Sequence, residues 1–192
     1  MRTKVRIKSI IKSIKKIGTD IGRPCLSVIM ADPRENAQEL ALSDCVLALH
    51  DFQNISSMPI VFEGIEPLNY LKQLMKMVPL INKMCSATVL ETSGEKLQKV
   101  MIPLFTEIII TPPQFTPEGW PMSVNYDFAF HENVHYCFKI DGARAYDYLK
   151  KLKPLINDRR RNPLFLRPDG ISMRSLLSIY HDDPIPNILI VS

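Results

Sequence analysis

The stretch MSVNYDFAFHENVHYCFKID, Met122 to Asp141, decides how the chain is read. Val124, Tyr126, Phe128 and Phe130 alternate with smaller or polar residues, and Val134, Tyr136, Phe138 and Ile140 resume the alternation after His131-Glu132-Asn133. Period-two alternation of β-branched and aromatic residues marks a half-buried strand. Two such runs across a short polar segment predict an antiparallel hairpin. The expected fold is therefore α+β: an antiparallel sheet built on this central hairpin, with helices packed on it. Tyr126, Phe128, Tyr136 and Phe138 are its expected core.

The same stretch contains His131-Glu132-Asn133-Val134-His135, which matches H-E-x-x-H. That zinc-peptidase pattern works on a helix, where residues i and i+4 share a face and both imidazoles reach one metal. The glutamate then activates the bound water. Here both flanks read as strand, and nothing like His-x-x-Gly-x-x-His follows His135. His131 and His135 are expected to form a polar turn and strand start and to hold no metal.

The chain has 192 residues, enough for one domain with a substantial core. Its composition, 46% hydrophobic and 23% charged, excludes a disordered chain. Cys25, Cys45, Cys85 and Cys137 are scattered with no C-x-x-C pair, and each sits beside apolar residues, which favours buried thiols of an intracellular protein. The charge is uneven. Residues 1–18 hold seven basic side chains and no acid, so a head of +7 leaves −3 on the rest of a chain whose net charge is +4. Such a head points to an anionic partner.

Within that head, Ile7, Ile10, Ile11, Ile14 and Ile17 recur at spacings of three and four, with Lys4, Lys8, Lys12, Lys15 and Lys16 around the remaining circumference. The pattern predicts a basic amphipathic helix ended by Gly18, able to lie in a membrane interface or to dock on the core. Residues 1–22 are thus set apart as a basic segment from a single domain over 23–192. The lysines interrupt any signal-peptide core, and no other run is long enough to span a bilayer.

Further along, Cys25 to Met30 predicts a strand, and Asp32-Pro33-x-Glu35 a helix start with Asp at the N-cap and Glu at N3. Ile60 to Phe62 is a short strand, and Glu66-Pro67 opens a helix. Ala87 to Glu91 and Gln98 to Ile110 read as strands flanking a turn at Ser93-Gly94. A helix follows Gly142, a last one carries Met173, Leu176, Leu177 and Tyr180, and Asn187 to Val191 is a closing strand. Lys150, Lys151, Lys153, Arg159, Arg160 and Arg161 form a second basic cluster, either a solvated face or a contact for phosphate or lipid headgroups. There is no G-x-S-x-G, no phosphate-binding glycine loop and no G-x-G-x-x-G. No catalytic residue and no cofactor are expected.

The basic amphipathic head, the helix over 67–84, the strands leading through the proline-rich loop into the 122–141 hairpin, and the helix after it together resemble the matrix proteins of negative-strand RNA viruses, above all those of rhabdoviruses. Pro112-Pro113-Gln114-Phe115 keeps the prolines of that group's Pro-Pro-x-Tyr budding motif but lacks its tyrosine. The resemblance implies a structural protein, not an enzyme. It would bind the inner membrane leaflet and the viral ribonucleoprotein, self-assemble as a homo-oligomer, and reside in the virion and the host cytoplasm, peripheral on membranes. Alternatives are an RNA-binding viral accessory protein of the movement or silencing-suppressor kind, and a zinc hydrolase acting through HENVH.

Overall fold

The computed structural model describes residues 4–113, 126–157, 164–184 and 188–191, with side chains at all of these except 153–157. Nine strands among them form one sheet: β1 (Lys4–Ile14), β2 (Pro24–Met30), β3 (Gln38–Ala41), β4 (Pro59–Gly64), β5 (Ala87–Thr92), β6 (Glu107–Ile110), β7 (Val134–Ile140), β8 (Leu164–Pro168) and β9 (Ile188–Ile190). Their order is β3-β1-β2-β4-β5-β6-β7-β8-β9. Only β1 pairs antiparallel, with β2 and β3; every neighbouring pair from β2 to β9 is parallel. The main helices are α1 (Leu42–His50), α2 (Leu71–Ile81), α3 (Ala143–Asn157) and α4 (Met173–Asp182).

This overturns the expected antiparallel sheet. Among the described residues of the decisive stretch only Val134–Ile140 is a strand, and it pairs parallel with β6 and β8. Parallel neighbours need a long crossover and cannot be joined by a turn. Tyr126–Phe130 is a 3-10 helix instead. The aromatic residues are still core: Phe128, Tyr136 and Phe138 are buried, and Tyr126 packs on the same cluster with its ring 5.6 Å from Tyr136.

The expected N-terminal helix is also overturned, because Lys4–Ile14 is strand β1. Its register against β2 slips between Ile7 and Ser9. An extra residue at that point changes the phase of the strand, so side chains that alternate by two on each side of it fall three apart across it. Val5 and Ile7 face the helices before the slip, and Ile10 packs on the same core after it. Period two with one slip thus imitates period 3.6. Val5 and the four isoleucines of the strand, all β-branched, then favour the extended form. The slip lies inside residues 1–22, and residues on both sides of position 22 belong to one sheet.

Asp32-Pro33-x-Glu35 makes a turn rather than a helix. Arg34 N donates to Asp32 Oδ1 at 2.8 Å, and Asp32 N donates to Glu35 Oε2 at 3.2 Å. Glu66-Pro67 does open a helical segment, and Leu68 N donates to Glu66 Oε1 at 3.0 Å.

Once β3 has been laid beyond β1, strand order follows chain order from β4 to β9, so those crossovers can all lie on one face. Two apolar clusters reflect this. The large one joins Leu26, Val28, Ile60, Phe62, Leu90, Ile108, Ile110, Tyr136, Phe138 and Leu166 to helix residues such as Cys45, Leu74, Met77, Leu149 and Leu176. The small one holds only β-strand and loop residues: Ile17, Cys25, Val61, Val89, Ile109, Cys137, Phe165 and Val191. The strands are therefore buried on both faces, one under helices and one turned inward, as in a parallel barrel that stays open between β3 and β9.

Because the strand buries Ile7 (3% exposed) and leaves Ile14 outside (59%), the two isoleucines should differ in worth. Ile7→Ala should cost roughly 2–5 kcal/mol in urea denaturation, and Ile14→Ala should stay within about 0.5 kcal/mol of the parent. Equal losses would restore the helical stripe.

Candidate functional site

The inward face of the sheet carries charge at both ends. At the amino end, the connection after β1 folds across the opening. Lys15 (4% exposed) and Glu107 (3%) form a buried ion pair, and Lys15 Nζ also donates to the Thr19 carbonyl. Thr19 N donates to Glu107 Oε1 at 2.6 Å, and His135 Nε2 lies 3.3 Å from the same oxygen. Gly18 has φ +89°, and a Cβ there would stand 2.3 Å from Glu107 Oε1. Only glycine lets this loop close over the carboxylate. Ile17 seats beside the ion pair in the inner apolar cluster. This end is a sealed plug.

The carboxyl end is open. A cleft of about 500 Å³ lies there, bordered by Glu66, Glu91, Thr92, Thr111, Lys139 and Arg167 among others. Each comes from the end of a strand or the loop just after it, the place where parallel α/β sheets bind ligands. Gly64 allows β4 to end against β2: its φ is +136°, and a Cβ would meet the Met30 carbonyl oxygen at 2.3 Å. Glu66 ties two rim loops together. It accepts from Thr92 Oγ1 at 2.8 Å, from Ser93 N at 3.1 Å and from the Ser93 hydroxyl, besides capping its own helix.

Within the cleft, Glu91 is the chemically distinctive group. Burial, and then the neighbouring Glu63 carboxylate, push its pKa up to about 7, against a smaller pull from Arg167, Lys16 and Lys15. Glu63 and Glu91 stand side by side, one step beyond the paired Phe62 and Leu90. On the far side, Lys139 and Arg167 are direct register partners on β7 and β8.

The residues expected to form a membrane- or partner-binding helix are dispersed by the strand. Lys4 and Arg6 pair with Glu39, at 3.2 and 2.9 Å, and Lys8 with Glu35 at 3.8 Å. Ile7, Lys15 and Ile17 are buried, and Ile10 is partly buried, while Ile11, Lys12, Ile14 and Lys16 are exposed. In the second cluster, Lys150 pairs with Asp147 at 2.9 Å and with Asp183, and these carboxylates hold its pKa above the ordinary range. Lys151 is exposed. The Lys153 side chain and Arg159, Arg160 and Arg161 lie outside the described residues, as do Gln114 and Phe115. In HENVH, His131 to Asn133 form a turn and His135 points inward from β7 at Glu107. Among the described residues, no group of three His, Cys, Asp or Glu side chains could hold a metal ion.

Glu63, Glu91, Lys139, Arg167 and the Lys15–Glu107 pair were not legible as a site. A signal was present: PIVFEG, ATVLET, VHYCFKI and LFLRP each place a charged residue near the end of a mostly apolar strand.

The architecture is that of an open, mostly parallel α/β barrel with its cleft at the strand carboxyl ends. The crystal structure of QueE from Escherichia coli is similar, with a TM-score of 0.70 over 98% of this chain and 93% of that one, at 13% identity. That likeness is one of fold. The chain matches no protein-family model and no curated protein sequence. The rhabdovirus matrix resemblance is overturned, because the sheet is parallel and singly wound. With it fall the viral structural role, the RNA-binding accessory alternative and the membrane, ribonucleoprotein and self-assembly partners. The expectation that the chain is not an enzyme came with that resemblance and falls with it. Among the described residues no helix is long and apolar enough to cross a membrane.

The plug yields a stability prediction. Lys15→Met or Glu107→Gln alone leaves a buried group without its partner and should cost about 3–5 kcal/mol. Combining Lys15→Met with Glu107→Leu should recover much of that loss in urea denaturation. Additive losses would mean that the two side chains act independently.

Proposed function

We propose that this protein is an enzyme that binds a small polar molecule in the mouth of its open barrel and moves a proton at Glu91. The observation that carries this reading is Glu91 itself, a carboxyl group with a pKa of about 7 on the wall of a ligand-sized cleft. A general acid–base works best when its pKa lies near the working pH. Perturbed groups in a cleft mark functional sites more often than structural ones. The likeness to an enzyme's fold supports the same direction.

Iron–sulfur clusters, which serve radical and electron-transfer chemistry, are held by cysteine thiolates. The donor set of this chain does not fit such a cluster. Cys45 lies in the core beneath the helices, Cys25 and Cys137 sit in the inner apolar cluster, and Cys85 precedes β5 at the end away from the mouth. Burial raises every one of these thiols, Cys45 to about 11 and Cys137 to about 12, which opposes the thiolate a metal needs. The proposed chemistry therefore rests on side chains.

Glu91 gives two linked expectations. Carbon-detected NMR of the glutamate carboxyls should show one group titrating near neutrality, absent in Glu91→Gln. A Glu91 that titrates between 4 and 5 would remove the basis of the reading. Because the folded state binds this proton more tightly than the unfolded chain, stability should fall as pH rises from about 4.5 to about 7. Glu91→Gln should then be more stable than the parent above neutrality, by at most roughly 3 kcal/mol. The advantage should vanish in acid.

A further inference from the structure

We propose that the ligand of this cleft is a zwitterion whose charges are several bonds apart, with its anionic group between Lys139 and Arg167 and its ammonium at Glu91. This rests on the placement of the ligand site at the strand carboxyl ends proposed above. The inward wall is split by charge. Glu91 lines the cleft on one side, with Glu63 beside it on the adjacent strand but outside the lining; Lys139 and Arg167 occupy adjacent strands on the other, and Thr111 at the end of β6 separates them.

None of the four makes an ion pair or a side-chain hydrogen bond among the described residues. Two cations held as register partners repel each other, and so do two neighbouring carboxylates. In each pair the cost is relieved when a ligand brings the opposite charge. A single anion would satisfy only the β7–β8 side, and a simple amine only the β4–β5 side. A molecule that carries both satisfies the whole wall.

The sheet also sets the length. β5 lies two strands from β7 and three from β8, a span of roughly 10–14 Å along the sheet at the usual strand spacing. Long side chains reaching over the concave face close part of that distance. What remains exceeds the separation of charges in an α-amino acid and suits an amine and a carboxylate joined by a short chain.

Calorimetric titration at pH 8, where Glu91 is ionised, tests this with four probes: 5-aminopentanoate, glycine, acetate and butylamine. We expect 5-aminopentanoate to bind at least tenfold more tightly than any of the other three. Lys139→Gln and Arg167→Gln should each weaken it tenfold or more, while Lys139→Arg keeps it. If Arg167→Gln does not fold, the Lys139→Gln and Lys139→Arg pair decides the matter alone. Binding of 5-aminopentanoate no tighter than acetate, or unchanged by Lys139→Gln, would overturn the proposal. The titration of Glu91 is measured separately. A near-neutral Glu91 without zwitterion preference defeats this inference and leaves the proton-transfer reading, whereas zwitterion binding beside an ordinary Glu91 does the reverse.

Discussion

Strand order equal to chain order, over the strands that follow β3, is the constraint from which the rest of this molecule follows. From β4 to β9 the sheet never doubles back, so the helices cover one face and the other must be closed by the strands' own side chains. The inner cluster is small, eight residues against the far larger cluster beneath the helices. It cannot fill the concavity from end to end. One end is sealed by a loop that seats Lys15 on Glu107 and Ile17 in the inner apolar cluster, and the other is left as a cleft. The ion pair at the closed end and the charged wall at the open end are two outcomes of one topological fact.

Individual elements were legible where local chemistry decided them. Cys25 to Met30, Ala87 to Glu91 and the helices after Glu66 and Gly142 lie where composition and capping placed them. The arrangement was not legible, because alternation along one strand does not say which way its neighbour runs. PIVFEG and EIII are nearly unbroken apolar runs, the mark of strands covered on both faces, and they outweigh the alternation of residues 124–130. The β1 slip hid a strand inside a helical spacing. The site was harder still. Glu91 is unusual only because Glu63 stands beside it and apolar groups surround it, and neither fact exists before the strands pair.

The cleft holds interactions that work against folding. A half-buried carboxyl that resists ionisation, two adjacent acids and two adjacent bases are all unfavourable in the ligand-free chain. Glu66 offsets part of this by binding both rim loops through four hydrogen bonds. Gly18 and Gly64 occupy backbone positions where a side chain would collide with Glu107 and Met30. Rigid loops thus hold a wall whose charges make no ion pair among the described residues.

The edge of β1 has a consequence for how the protein behaves in a crowded solution. β3 covers only Lys4 to Ile7, and among the described residues no strand pairs with the outer edge of the rest, where Ile11 and Ile14 are exposed. An open, isoleucine-rich edge is a template on which any passing chain could add a strand. Lys8 and Lys12 stand along it and Lys16 just past its end, all exposed. An incoming strand would have to strip water from each ammonium, and a second copy would bring three more of the same sign. The lysines that suggest an anionic partner when the sequence is read alone therefore act as gatekeepers against polymerisation.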